Sequence, residues 1–483
     1  MTDEQSIEYT GFTADYGNAL SGVVDLKLRK GNADKREYLA QVGFNGFELG
    51  VEGPFKKDGK ASYLANYRYS MLAVANALGL EFGTGAAVPF YQDLTFKVHV
   101  PTKKAGTFSL FGLGGLSNIE FLAETAGDNN LYSSDNENSR FRSNTGVTGL
   151  SHTFFLDNKT YSKLVLAVSG TQSAGHTDTL SPDTGEAFRS FGTNSVQIKY
   201  SLNYKLNRKF NARNTANVGF IADHYQISVL DSFRFSTGFE PLRDFDGNAT
   251  MVQAYGQWKH RFTDKLSSTA GVHSQHFLLN GSHAVEPRLG LRYQLGDRQN
   301  LNFGAGLHSQ LQPLMVYFVK ERGSEEGDPL PNENLDFTRS MHLVLGHDLF
   351  LTPDMRLKSE IYYQQLYNVP IHSYASPFSM LNAGRDFILP TETDLVNEGT
   401  GVNYGLELTL EKFFSKGYYF LVTSSLFQSQ YTGSDNIERN TAFNGNYVFN
   451  VLGGKEFKLG KRSTLGFDTK ITYAGGMRFT PID

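Results

Sequence analysis

Charged side chains at a regular spacing offer the first candidate chemistry. Glu286, Arg288 and Arg292 stand at even positions of residues 285–295, and most odd positions there are apolar. Successive side chains of a β-strand point to opposite faces, so these three charges share one face. They could bind a charged solute or an internal segment, or they could form an ion-pair network on a wetted wall, and the residues alone leave both open.

Aromatic residues in polar connecting stretches are the second candidate. An exposed ring can stack on a ligand, because its flat face buries apolar area without a large entropic cost. The same ring can instead pack against a neighbouring loop. The candidates are Tyr132, Phe233, Tyr374 and Phe378.

The sequence gives little support for a catalytic site or a metal site. The 483 residues include no Cys, so thiolate ligands and cysteine nucleophiles are excluded. No Ser-His-Asp grouping has a nucleophile's sequence context, and the chain is predicted not to be an enzyme. His273 and His276 would face opposite sides of a strand and cannot share one ion without a bulge, so we expect two strand-surface histidines. We predict no cofactor and no metal.

The elements that position these residues show a period of two. Alternating apolar and polar residues run through 195–206, 285–295, 404–411 and 464–473. Ordinary strands have about 5–6 residues, whereas about 9–11 are needed to cross a bilayer at a tilt. Charged and amide side chains follow the polar face throughout, as in a water-filled lumen. The pattern predicts an all-β fold, a transmembrane antiparallel β-barrel in contact with outer-membrane lipid, over a large soluble β-protein.

Connections between the alternating runs favour the same architecture. Short turns, such as 207–209 and 263–265, alternate with longer connections such as 173–190, 231–247 and 312–337. Barrels with short periplasmic turns and long outer loops show this alternation. We count about 19 strands between Tyr38 and Tyr473 in one barrel. The net charge of −4 gives no reason to expect a nucleic-acid partner.

One segment resembles a known family. Residues 12–27, with Ala14-Asp15-Tyr16-Gly17 followed by Gly22-Val23-Val24-Asp25, resemble the end of the plug domain of TonB-dependent outer-membrane receptors. Later stretches resemble the Bacteroidetes-type branch that carries carboxypeptidase-like regulatory N-termini. They are 52–55, 67–70, 307–313, 331–335, 397–401, 439–444 and 475–483. The resemblance assigns 1–35 to the C-terminal remnant of the plug and 36–483 to an incomplete barrel, joined through Tyr16, Gly17, Gly22 and Asp25.

The resemblance also implies a function. Such receptors sit in the outer membrane of Gram-negative bacteria and take up a scarce solute, with energy from the TonB-ExbB-ExbD system and sometimes with a surface lipoprotein as partner. Barrels of this family have 22 strands, so we expect a partial chain whose sheet leaves two unpaired edges. The alternative is a non-transporting adhesin or scaffold barrel. Ferric siderophores, cobalamin, oligosaccharides and peptides all remain open as solutes.

Overall fold

The computed structural model describes residues 2–8, 13–43, 46–70, 89–123, 136–325, 327–384, 390–460 and 463–478. The early strands are β1 (Thr2–Glu8), β2 (Val23–Leu28), β3 (Glu37–Gly43), β4 (Gly46–Pro54), β5 (Ser62–Tyr69), β6 (Phe90–Pro101) and β7 (Thr107–Phe121). The middle strands are β8 (Glu137–Asp157), β9 (Thr160–Leu180), β10 (Ala187–Lys209), β11 (Asn214–Phe235), β12 (Gly238–Arg261), β13 (Leu266–Phe277), β14 (His283–Gly296) and β15 (Gln299–Gln310). The last are β16 (Thr338–Thr352), β17 (Met355–His372), β18 (Leu395–Ser415), β19 (Tyr418–Thr432), β20 (Glu438–Asn440), β21 (Tyr447–Leu459) and β22 (Ser463–Ala474).

Strands β3 to β22 form one antiparallel sheet in the order of a barrel. The short β20 and the longer β21 both pair with β19, at its two ends. Apart from the three-residue β20, the described barrel has 19 strands, as alternation predicts, and the all-β fold is confirmed. The described helices are α1 (Leu314–Tyr317) and a 3₁₀ turn (Met380–Asn382), and neither has the length or hydrophobicity to cross a membrane.

The barrel has one weak seam. The strand order places β22 beside β3 in a closed ring, which differs from the expected sheet with two free edges. Even so, no residue register joins these two strands within the described ranges, whereas neighbours such as β21 and β22 are paired along their length. Every side chain of β22 is exposed. Lipid cannot satisfy unpaired backbone groups, so we expect this seam to be weaker than the strand pairs that are joined along their length.

The outer surface carries the features of a lipid-facing wall. On β10 the apolar series 196–206 points away from the lumen, over a length that suits a hydrocarbon band of about 25 Å. Exposed aromatic residues cluster beside the short connections, as in a membrane-interface girdle. They are Phe55, Phe155, Phe210, Trp258, Phe262 and Phe414.

Strands β8 to β12 are much longer than a membrane crossing requires. They contain 21–24 residues, so they rise beyond the lipid band as a tall outer wall. The long connections predicted at 173–190 and 231–247 are therefore wrong in extent. Only 181–186 and 236–237 lie between strands there. Above the membrane water reaches both faces of a strand, so the apolar alternation fades while the backbone ladder continues.

The largest buried apolar cluster lies inside the mouth of the barrel. Residues 311–325 and 327–337, here called the mouth loop, fold inward from the connection between β15 and β16. Their side chains pack on the lumen faces of β11 and β12. The N-terminal β1 and β2 form a separate two-stranded sheet. The boundary predicted at 35/36 falls between β2 and β3 and stays a prediction.

Candidate functional site

An ion pair identifies which side chains face the lumen. Lys205 on β10 places its Nζ 2.8 Å from Oδ2 of Asp15, which precedes the barrel in the chain. Odd-numbered residues of β10 therefore point inward. Directly opposed residues of antiparallel strands share a face, so the register carries this assignment around the sheet.

Residues 13–20, here called the N-terminal segment, lie against this inner wall. The backbone N–H of Ala14 donates to Oε1 of Gln257 at 2.7 Å, and Nδ1 of His273 lies 2.8 Å from the carbonyl oxygen of Ala14. Nε2 of His273 lies 3.0 Å from Oε1 of Gln253. Both nitrogens of the fully buried imidazole are thus occupied. The expectation that His273 lies on the strand surface is wrong, because the segment covers its face of β13.

Arg288 is the strongest contact with the N-terminal segment. Its Nη1 donates to the carbonyl oxygens of Thr13 and Tyr16, at 2.7 and 2.6 Å. Its Nη2 pairs with the carboxylate of Glu286, and the side chains of both residues are almost wholly buried. Ser309 and Gln275 also donate to that carboxylate. A buried charge pair is stable only when its remaining hydrogen-bonding capacity is satisfied. Here the backbone carbonyl oxygens of the N-terminal segment satisfy much of the capacity of Arg288.

Close approach and backbone bonds continue along the segment. A Cβ atom on Gly17 would collide with the imidazole of His273 and the amide of Gln253, so only glycine fits there. Asn18 adopts a positive φ of 52°, and its Oδ1 accepts the N–H of Leu311 at 2.8 Å. The carbonyl oxygen of Leu20 accepts Nε2 of Gln364 at 2.9 Å.

The mouth loop forms a lid next to the N-terminal segment. Val316, Tyr317 and Phe318 are fully buried, and the ring of Phe318 stacks on Phe245 with centroids 3.8 Å apart. Burial raises the pKa of the Tyr317 hydroxyl, so that group stays protonated. Leu20 packs against this same cluster. The lid and the segment therefore share one apolar core.

Arg243 ties three outer elements together. It forms a buried ion pair with Asp231, with 2.7 Å between Nη1 and Oδ2. Its Nε donates to the carbonyl oxygen of Met315 at 2.9 Å, and its Nη2 donates to that of Pro390. The guanidinium is planar with five N–H donors, which allows one side chain to hold a strand and two loops.

The predicted aromatic ligands occupy separate places. Phe233 faces inward on the tall wall and packs on Phe191, with ring centroids 4.7 Å apart. Tyr374 and Phe378 both stack on His372, each with its ring centroid 4.6 Å from that of the imidazole. Tyr132 lies outside the described residues. Ligand contact by these rings stays a prediction.

The remaining predicted residues lie apart from the buried cluster. The hydroxyl of Tyr16 donates to Oδ2 of Asp25 at 3.3 Å, so these two sides of the predicted plug connection meet. Gly22 is exposed just before β2. Arg292 shares the inward face with Glu286 and Arg288 but is exposed, in a lumen cleft of about 480 Å³ that Lys358 and Glu360 also line.

Several residues of this site escape sequence reasoning. Gln253, Gln257 and Gln364 are ordinary lumen amides by type. Gln257 and Gln364 bind backbone atoms more than two hundred residues away, and Gln253 binds the imidazole of His273. The one available signal was their place on the polar face of alternating strands. That signal predicts a wet wall and gives no indication that a segment is bound to it.

Comparison with known proteins decides the family. Residues 92–480 match the model of the family described as TonB dependent receptor-like, beta-barrel. The chain belongs to the TonB-dependent receptors. Its place is therefore the outer membrane of Gram-negative bacteria, in a family of non-enzymatic transporters. No curated protein matches the chain.

Solved structures of TonB-dependent receptors share the fold. The ferric yersiniabactin uptake receptor FyuA of Yersinia pestis superposes with a TM-score of 0.67 at 13% identity, over 95% of this chain and 71% of FyuA. The pyoverdine receptor FpvA of Pseudomonas aeruginosa gives 0.67 at 11%, over 94% and 73%. The iron transporter FrpB of Neisseria meningitidis gives 0.66 at 11%, over 97% and 74%. At these identities the likeness concerns the fold alone.

Proposed function

We propose that this receptor takes up a scarce solute through its lumen by energy-coupled, plug-gated transport. The observation that supports it is the N-terminal segment, which runs inside the barrel and is held there by hydrogen bonds to its own backbone carbonyls and N–H groups. Such a segment occupies part of the lumen, and its movement would widen the path for a solute.

The holding contacts suit a reversible lock. Arg288 and His273 bind backbone atoms, and the Lys205–Asp15 ion pair is partly open to water. Hydrogen bonds of this kind contribute about 1–3 kcal/mol each, so a pulling force can break them one after another. The TonB-ExbB-ExbD system, coupled to the inner-membrane proton gradient, would supply that force. The Bacteroidetes-type assignment and a surface lipoprotein partner belong to this same proposal.

Transport and its alternative differ in one measurement. The full-length receptor is expressed in matched strains with and without TonB, and accumulation of radiolabelled candidate solutes is followed with and without a protonophore. A receptor accumulates at least one solute only when TonB and the gradient are both present. Surface binding that depends on neither would instead identify an adhesin or scaffold barrel, and would remove the transport proposal.

A further inference from the structure

The upper lumen face of β8, β9 and β10 is rich in hydroxyl groups and is uncharged below Glu137, which lies at its outer end. Ser143, Ser173 and Ser195 stand opposite one another in one row of the sheet. The row faces the lumen, because Oγ of Ser195 lies 3.5 Å from Sδ of Met315 in the mouth loop. Together with the neighbouring lumen-facing rows on these three strands, this row forms a surface that we call the hydroxyl wall. Its members are Ser139, Phe141, Ser143, Thr145, Thr171, Ser173, Gly175, Thr177, Phe191, Thr193, Ser195 and Gln197.

None of these twelve lumen-facing residues is charged, and eight of them carry a hydroxyl group. A hydroxyl group both donates and accepts hydrogen bonds, as a sugar hydroxyl does. Charges return on the same face of β10 only further down, at Lys199 and Lys205. The wall therefore offers many hydrogen bonds and no ion pair.

Aromatic faces interrupt the hydroxyls. The ring of Phe141 lies over Gly175, where a Cβ atom would come within 2.6 Å of its Cδ1. Phe141 is 39% exposed, so part of this flat ring is open to the lumen. Phe191 leans on Phe233 at the edge of the wall. Flat apolar rings beside hydroxyls match a pyranose, which has apolar C–H faces and a rim of hydroxyls.

The hydroxyl wall lies on the outer side of the N-terminal segment. Lys205, which binds that segment, is eight residues from Gln197, about 26 Å along the strand at 3.3 Å per residue. The mouth loop fills the lumen against β11 and β12, and its Met315 marks one border of the wall. A solute arriving from outside therefore meets this wall before it meets the segment.

We propose that the hydroxyl wall binds an uncharged polyhydroxylated solute, a neutral oligosaccharide, and that this is the solute class of the receptor. The proposal rests on the uptake function proposed above. An anionic metal chelate would lose hydration against this surface and find no opposite charge there, which is costly. A neutral sugar exchanges its bonds to water for bonds to hydroxyls and keeps its ring faces on Phe141 and Phe191.

The test uses the full-length receptor and two panels of probes. Equilibrium binding is measured for fluorescently labelled neutral oligosaccharides, and for ferric catecholate chelates. At least one neutral oligosaccharide binds, and Phe141→Ala weakens it about tenfold, as expected for one aromatic stacking contact. The matched control is Phe239→Ala. Phe239 has a similar exposure of 41%, but its ring lies over Gly192, which stands between the inward-facing Phe191 and Thr193 and therefore faces outward, so binding is unchanged.

A second pair of variants tests charge. Ser173→Glu places a carboxylate on the wall and weakens oligosaccharide binding at least tenfold, whereas Ala174→Glu, on the outward face of β9, leaves it unchanged. Binding of a chelate alone, binding of no neutral oligosaccharide, or equal effects of both glutamates overturns the proposal. TonB-dependent uptake of a chelate would overturn the oligosaccharide proposal but would leave the transport function in place. Uptake that does not depend on TonB would instead contradict the proposed transport function.

Discussion

Arg288 donates a hydrogen bond of 2.6 Å to the carbonyl oxygen of Tyr16, although 272 residues separate them in the chain. This bond joins the wall of the barrel to the segment that enters it. It also uses the guanidinium whose other end balances Glu286. The same guanidinium therefore forms the ion pair with Glu286 and holds the N-terminal segment.

Arg288→Met should destabilise the receptor by about 3 kcal/mol, because it leaves the buried carboxylate of Glu286 without its counter-charge. It also removes both bonds to the segment, so the lumen should leak. Two measurements test this. Urea unfolding is monitored by the fluorescence of Trp258, the only tryptophan, and leakage is measured as entry of a large hydrophilic antibiotic through the barrel. The control is Arg292→Met, on the same face of β14 but exposed, which should change neither. Equal effects of the two variants would contradict the assignment.

Gly17→Ala should displace the N-terminal segment, since a Cβ atom there collides with His273 and Gln253. Overpacking of this kind costs about 1–3 kcal/mol. Limited proteolysis should then cleave within residues 13–20 faster than in the parent chain. Gly290→Ala, where the nearest atom would be 3.9 Å away, is the matched control on β14. An unchanged cleavage rate in Gly17→Ala would mean that the segment does not rest against His273.

Lys205→Glu should weaken the hold on Asp15 by replacing attraction with repulsion across 2.8 Å. The pair is partly exposed, so the coupling should be about 1 kcal/mol and should fall with added salt. The double variant Lys205→Glu with Asp15→Lys restores opposite charges and should recover most of the loss. A double-mutant cycle on the free energy of unfolding measures this term. Additive losses in the double variant would show that the two residues do not interact.

Arg243→Met should release the mouth loop. The change leaves buried Asp231 unpaired and removes the bonds to Met315 and Pro390, for a loss of about 3 kcal/mol. Protease accessibility of the loop is the measurement. Arg322→Met provides the comparison, because its pair with Glu240 is exposed and such pairs contribute at most about 1 kcal/mol. If both variants expose the loop equally, Arg243 is not its anchor.

Most of the barrel could be predicted from the sequence because the alternating faces of a strand appear directly as alternating residue types in its local sequence. Alternation placed Glu286, Arg288 and Arg292 on one inward face, and the register agrees with that face. It separated His273 from His276 for the same reason. The outer part of β9 to β12 was missed, since strands with water on both faces lose the apolar signal while keeping their hydrogen bonds.

What the sequence by itself determined is which side chains face lipid and which face the lumen, together with the family resemblance of residues 12–27. Only the tertiary structure decided what the lumen residues touch. Arg288 binds Tyr16 while Arg292, four residues away on the same face, lies open in a cleft. The two have the same residue type and the same local pattern. They differ because the closure of the barrel brings the N-terminal segment next to Arg288. A local pattern of alternating residues cannot indicate a contact between residues that lie hundreds of positions apart.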